Sequence, residues 1–217
     1  MKDILQQTRI FLLLFAFYLL IPGFTLLVTA KGEFEIWLNA FHTNYFDNFF
    51  YWATYFGDGI FAAFLLLVII LLVSIRQGLI MTVILLLVSA VTQVFKLFIF
   101  PNEHRPSVFL KEITDLHFVK GLEIHTSNSF PSGHTTQAFC LFFLFSFYYK
   151  NKSMQYLFFV IAVLAGISRV YLLQHFLRDI YVGAIIGTLG SLILLYYFEK
   201  TNFLSQPRLD KPLIQTR

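Results

Sequence analysis

Ser168-Arg169-Val170-Tyr171-Leu172-Leu173-Gln174-His175-Phe176-Leu177-Arg178-Asp179 joins two long apolar runs, Gln155 to Val170 before it and Ile180 to Phe198 after it. Such runs read as membrane-crossing helices, which makes this stretch the short connection where the chain turns back. A cation, an imidazole and a carboxylate are costly beside a bilayer, so their default reading there is functional. His175 and Asp179 are four residues apart; on a helix they would share a face and hydrogen-bond. A carboxylate on one imidazole nitrogen fixes the tautomer and makes the other nitrogen a better base or nucleophile. Arg169, earlier in the same stretch, offers a fixed positive charge to an anionic group. The alternative is a surface loop whose charges only mark the membrane interface, and residues upstream decide between the two.

The 217 residues are 58% hydrophobic and only 13% charged, with a mean hydropathy of +0.72. Soluble globular domains lie far from these values, so the expectation is an integral membrane protein. The net charge of +4 does not point to nucleic acid, because the Lys and Arg residues are scattered between apolar runs and form no basic stripe. They read instead as topology signals. The single cysteine, Cys140, cannot form an intrachain disulfide and reads as a small core residue.

Met1 to Arg9 is a polar start, and Ile10 to Thr29 is apolar except for Pro22-Gly23. Val28-Thr29-Ala30 would pass as a signal-peptidase site, but the apolar run exceeds the usual h-region of about 7–15 residues, so it is read as an uncleaved first span. Lys31 to Asp58 mixes Trp37, Phe41, Tyr45, Phe49 and Trp52 with Asn39, His42, Asn44 and Asp47. That mixture predicts an interfacial helix, with His42 and Asp47 in its packing rather than in a site. Further spans are expected at Gly59 to Ser74, Leu79 to Phe100, Ser132 to Tyr149, Gln155 to Val170 and Ile180 to Phe198, with Arg76-Gln77-Gly78 as a tight turn. Pro101 to Phe130 is too polar to cross. The predicted fold is therefore all-α and polytopic. Six transmembrane helices form one bundle over residues 1–200, with the interfacial aromatic helix between the first and second. Residues 201–217 are expected to be a flexible cytoplasmic tail. Six spans put both termini on one side, with Lys2, Arg9, Arg76, Lys150, Lys152, Lys200, Arg208, Lys211 and Arg217. If Lys96, Arg105 and Arg169 serve a site, the other side keeps only Lys31, Lys111, Lys120 and Arg178, which favours cytoplasmic termini.

Three clusters then fall on the opposite side: Lys96 with Arg105-Pro106, Phe130-Pro131-Ser132-Gly133-His134, and the stretch from Ser168 to Asp179. Lys96, Arg105 and Arg169 would repel one another unless an anion sat between them, and the planar fork of arginine matches phosphate oxygens. Ser132 suits a helix N-cap, and the N–H groups of Gly133 and His134 would be free donors at a positive helix end. His175, paired with Asp179, is the better nucleophile; His134 is placed to protonate a leaving oxygen. These residues predict phosphoryl transfer aided by positioned positive charge. His104, His117 and His125, near Glu103, Glu112, Asp115 and Glu123, match no ligand spacing and read as a solvated loop, so no metal site is expected. Arg178 is expected to point away, towards headgroups or a neighbouring loop.

The clusters resemble the signature of the type 2 phosphatidic acid phosphatase superfamily, whose pattern is Lys-x6-Arg-Pro, Pro-Ser-Gly-His and Ser-Arg-x5-His-x3-Asp. Pro131 to His134 matches the second element and Ser168 to Asp179 the third, while eight residues rather than six separate Lys96 from Arg105. The resemblance, closest to the bacterial membrane lipid phosphatases, implies a six-span enzyme of the cytoplasmic membrane with its site on the outer face. It implies that His175 forms a phosphohistidine oriented by Asp179, that His134 acts as general acid, and that Lys96, Arg105, Ser132, Gly133 and Arg169 hold the phosphate. It implies no metal and no other cofactor. The expected substrate is a lipid phosphate or diphosphate, such as phosphatidic acid, phosphatidylglycerophosphate, undecaprenyl diphosphate or a lipid A phosphate. The alternatives are a lipid phosphotransferase using the same site and a non-catalytic lipid-phosphate binding or transport protein; vanadium haloperoxidase chemistry fits the membrane setting poorly.

Overall fold

The computed structural model describes residues 1–113 and 115–214, and no strand occurs among them. The helices are α1 (Lys2–Gln7), α2 (Arg9–Val28), α3 (Glu33–Asn39), α4 (Asn44–Ala53), α5 (Gly59–Leu72), α6 (Ile75–Val94), α7 (Pro106–Phe109), α8 (Gly133–Tyr148), α9 (Lys152–Tyr171) and α10 (Leu177–Lys200). A 3₁₀ turn, Thr54–Gly57, links α4 to α5, and a π-helical segment, Phe95–Ile99, continues α6. Several starts follow from a single polar residue whose side chain accepts a first-turn N–H: Thr43 for α4, Asp58 for α5, Ser74 for α6, Ser132 for α8 and Asn151 for α9.

Among the described residues, four helices are long and apolar enough to cross a membrane: Arg9–Val28, Ile75–Ile99, Lys152–Tyr171 and Leu177–Lys200. Asn44–Gly57 with Gly59–Leu72 passes as a pair bent by 55°, which gives up to five. The 16-residue α8 spans roughly 24 Å at 1.5 Å per residue. Every residue from Ala138 to Ser146 is buried, so α8 is the axis of the bundle, apolar all round because other helices surround it. It packs against α10, α9 and α6. Phe11 lies 5.7 Å from Phe143 and 5.3 Å from Phe159, tying α2, α8 and α9 through edge-to-face rings; such pairs contribute about 0.5–1.5 kcal/mol each. Outward, α2 exposes Phe17, Leu20, Ile21 and Leu27, a surface suited to lipid rather than water.

Two expectations are corrected. Arg76-Gln77-Gly78 lies inside the first turns of α6 rather than in a turn, because Ser74 caps the helix. Gly78 is required there by close packing: a β-carbon on it would stand 2.3 Å from Cγ1 of Ile70. The aromatic segment is also not one helix; it breaks into α3, α4 and the 3₁₀ turn. After α10, Leu209 and Lys211 accept the N–H groups of Arg76 and Ile75, and Leu213 and Ile214 donate to Ile70 and Leu71.

α8 and α10 meet closely enough to fix the site. A β-carbon on Gly187 would stand 2.5 Å from the Thr136 carbonyl oxygen and 3.0 Å from Cβ of Phe139. The Ser132 N–H donates to the Asp179 carbonyl at 3.0 Å, joining the starts of the two helices directly.

Candidate active site

The end of α9 sets the geometry. Leu173 adopts φ +53°, a left-handed conformation that costs a branched residue roughly 1–3 kcal/mol. The reversal lets the N–H groups of Gln174 and His175 both donate to the Arg169 carbonyl, at 2.9 and 3.1 Å. Arg169 and His175 are thereby brought together, whatever helix phase would have done with them. His175 precedes α10 and Asp179 lies in its first turn, so the expected helical i, i+4 pair is formed instead across a helix start. Nδ1 of His175 is 3.3 Å from Oδ2 of Asp179. The same oxygen accepts the hydroxyl of Ser129 at 2.5 Å and the N–H of Phe176 at 3.0 Å. With Nδ1–H turned to the carboxylate, the lone pair sits on Nε2.

Three cations gather around that imidazole. Arg105 places Nη1 3.4 Å from Nε2 of His175, and its guanidinium is held by the carbonyls of Ser127 and Gln174, both at 2.9 Å. Arg169 donates from Nη1 to Oγ1 of Thr54 at 2.7 Å, while its Nε is buried without a partner. Lys96 lies within the π-helical segment, its ammonium 3.9 Å from where a β-carbon on Gly133 would stand. A π turn accommodates extra residues inside a helix, and Asn102 then takes a positive φ; together these absorb the longer spacing to Arg105. All three cations are buried, as are His175 and Asp179. Ser132 caps α8, its Oγ accepting from Thr135 N at 3.4 Å and Thr135 Oγ1 at 2.9 Å. All eight residues expected from the sequence thus lie close together around the starts of α8 and α10, with His134 the more open of the two histidines.

Burial, followed by the charges of Arg105, Arg169 and Lys96, holds the His175 imidazole well below its usual pKa. The sign is definite. An unfolded chain takes up a proton at this histidine as pH falls through about 6.5, whereas the folded one does not, so this residue withdraws stability progressively below that pH. We expect ring ¹⁵N shifts of His175, assigned by comparison with His175→Ala, to stay those of the neutral Nδ1–H tautomer down to about pH 5.5. A midpoint near pH 6.5 would contradict the burial argument.

Other residues lie elsewhere than the sequence suggests. His117 is half-buried and held rather than free in a solvated loop: Nε2 sits 2.8 Å from Asp47 Oδ2, and its ring stacks on His42 at 4.1 Å. Asp47 also accepts the Tyr171 hydroxyl at 2.5 Å. This group docks α4 onto the loop that precedes α8. Arg178 reaches Glu103 in the neighbouring loop at 2.5 Å, but its Nε also stays 3.4 Å from Oδ1 of Asp179, so it does not point away from the site; Lys31 approaches the Glu103 carboxylate at 3.5 Å. Cys140 is buried in the core. Among the described residues no group of three or more His, Cys, Asp or Glu is placed to hold a metal. Sequence reasoning passed over Ser129, Gln174, Thr54 and Glu35, which orient the site residues. Glu35 is buried, accepts the Leu177 N–H at 2.7 Å at the start of α10, and has its pKa raised by burial. Hydroxyls and amides in loops carry no spacing signal, and only Gln174 stood within a recognised pattern.

The family model of the PAP2 superfamily matches residues 77–203, which include all eight pocket residues. The chain belongs to the PAP2 superfamily. Among curated relatives, it is 39% identical over 87 residues to phosphatidylglycerophosphatase B of Bacillus subtilis (36% of this chain, 43% of that protein). It is 30% identical over 105 residues to the bacitracin transport permease protein BcrC of Bacillus licheniformis (48% of each). The chain thus spans less than half the length of the curated relatives it matches. Among solved structures, Aquifex aeolicus LpxE superposes with a TM-score of 0.67 at 26% identity, covering 78% of this chain and 98% of that one. A PAP2-type phosphatidylglycerolphosphate phosphatase from Bacillus subtilis gives 0.63 at 24% identity, covering 94% and 100%, a likeness of fold. With its apolar helices, this PAP2 chain is an integral membrane protein.

Proposed function

We propose that the chain is a lipid phosphatase that works through a phosphohistidine and needs no metal. One observation carries the reading: an imidazole oriented by a buried carboxylate stands within a cluster of three buried cations. Binding or transport of a phosphate would need the cations and the helix N–H groups, but no oriented nucleophile. The reading outweighs the transport function in the name of one relative for that reason.

In this mechanism Nε2 of His175 attacks phosphorus and forms the N–P bond. The P–O bond to the lipid breaks with its electron pair on oxygen, which takes a proton from His134. Water then attacks phosphorus and gives a proton back to His134; the N–P bond breaks and its pair returns to Nε2. Arg105 exchanges its contact with Nε2 for a phosphate oxygen, keeping its hold on Ser127 and Gln174. Arg169, Lys96, Ser132 and the Gly133 N–H complete the cradle. Phosphatidic acid, phosphatidylglycerophosphate, undecaprenyl diphosphate and lipid A phosphates all present the required headgroup on a membrane-bound tail.

The same proposal includes six crossings: α2, α5, α6, α8, α9 and α10. Here α3 and α4 lie along the interface, the termini face the cytoplasm and the site opens outward, which suits an amphiphile whose tail stays in the bilayer. The experiment is phosphate release from a panel of detergent-solubilised lipid phosphates with EDTA present. Release from at least one lipid, unchanged by chelation, is expected. Normal lipid binding without release from any of them would make the pocket a binding site.

A further inference from the structure

We propose that Asp58 is a positioning residue that holds His134 as the proton donor to the leaving oxygen. The inference rests on the phosphatase reading above and adds a residue to it. Asp58 ends the 3₁₀ turn and caps α5: its Oδ1 accepts the N–H groups of Ile60 at 2.8 Å and Phe61 at 3.4 Å. The carboxylate is therefore fixed in orientation, and Oδ2 lies 3.9 Å from Nε2 of His134, an ion-pair distance. The backbone fixes this separation too. A β-carbon on Gly57 would stand 2.6 Å from the His134 carbonyl oxygen, so turn and helix start are in direct contact. Three residues earlier, Thr54 holds Arg169. The turn is wedged between the general-acid candidate and one phosphate-binding cation.

His134 needs such a partner. It faces Arg169, His175, Lys96 and Arg105, and three of these are cations that oppose an imidazolium. The phosphate brings negative charge from one side; Asp58 supplies it from another, and also lies within the field of Arg169. His134 has 33% of its side chain exposed, against 2% for His175, so its ring can meet a leaving group. At the step assigned to it, the lipid P–O bond breaks, the electron pair stays on oxygen, and the His134 proton moves there, leaving a neutral imidazole and a neutral alcohol. A carboxylate at 3.9 Å orients the ring for that transfer.

The test separates a cap from a proton-donor partner, using the full chain in detergent micelles. Asn caps a helix as well as Asp does, so Asp58→Asn keeps the helix start and removes the charge; Asp58→Ser does the same with a different group. Two substrates are compared. Short-chain phosphatidic acid expels an alkoxide that needs the proton; p-nitrophenyl phosphate expels a stable phenolate that does not. Both variants are expected to lower kcat on phosphatidic acid by at least about tenfold, and on the nitrophenyl ester by less than about threefold. In a His134→Ala background, Asp58→Asn is expected to add no further loss. Equal losses on both substrates would overturn the inference in favour of an effect through Arg169. Unchanged rates would leave Asp58 as a cap only. Wild-type protein that hydrolyses neither these substrates nor any lipid of the panel would bring down the phosphatase reading itself, and this inference with it.

Discussion

His175→Ala is expected to lower phosphate release by at least about a hundredfold on every lipid that the wild-type protein hydrolyses. The residue is 1% exposed, so loss of its ring also opens a small cavity, at a cost on the order of 2–4 kcal/mol in stability. A melting curve therefore accompanies the assay. The chemical loss is larger than any packing effect, because no other neutral nitrogen stands where Nε2 does. Lys96 and the two arginines supply charge but no lone pair at neutral pH. Rapid quenching in base after mixing with ³²P-labelled lipid should trap an acid-labile phosphoprotein in the wild type and none in the variant. A folded variant that retains more than about a tenth of the activity would remove His175 from the mechanism.

Asp179→Asn should be nearly as severe, about a hundredfold in kcat, with little change in KM. The carboxylate oxygen at the centre of the pocket accepts from Ser129, Phe176 and His175 at once. An asparagine whose carbonyl oxygen takes the place of Oδ2 still accepts from Ser129, Phe176 and the Nδ1–H of His175, so the helix start and the tautomer survive. What is lost is the negative charge that stabilises the ring as Nε2 bonds to phosphorus and the imidazole becomes cationic. Ring ¹⁵N spectra should report the wild-type tautomer in the folded variant. Wild-type kcat would show that Asp179 only caps α10.

Much of this was legible before any fold. Long apolar runs carry their own evidence, because a bilayer accepts only segments that satisfy their own backbone. The two complete clusters were readable because the chemistry proposed for them needs particular residue types at short spacing, and local spacing survives whatever the rest of the chain does. What failed was local in another way. Arg76 to Gly78 looked like a turn because Gly breaks isolated helices; only the approach of Ile70 reveals a glycine needed for space. His117 looked solvated because its partner, Asp47, is 70 residues away in the chain. Asp58 read as a boundary residue, since nothing in its neighbourhood points to His134.

The sequence by itself determined a membrane-embedded helical protein, its family, and the eight residues from which a phosphate site could be made, because hydropathy and close-spaced chemistry are properties of short stretches. The tertiary structure alone decided how those residues face one another. The left-handed turn at Leu173 brings Arg169 to His175, the π segment carries Lys96 towards Gly133, and the contact of Gly187 with Thr136 joins α8 to α10. Each depends on backbone strain or on contact between distant segments, and both arise only when the chain is packed.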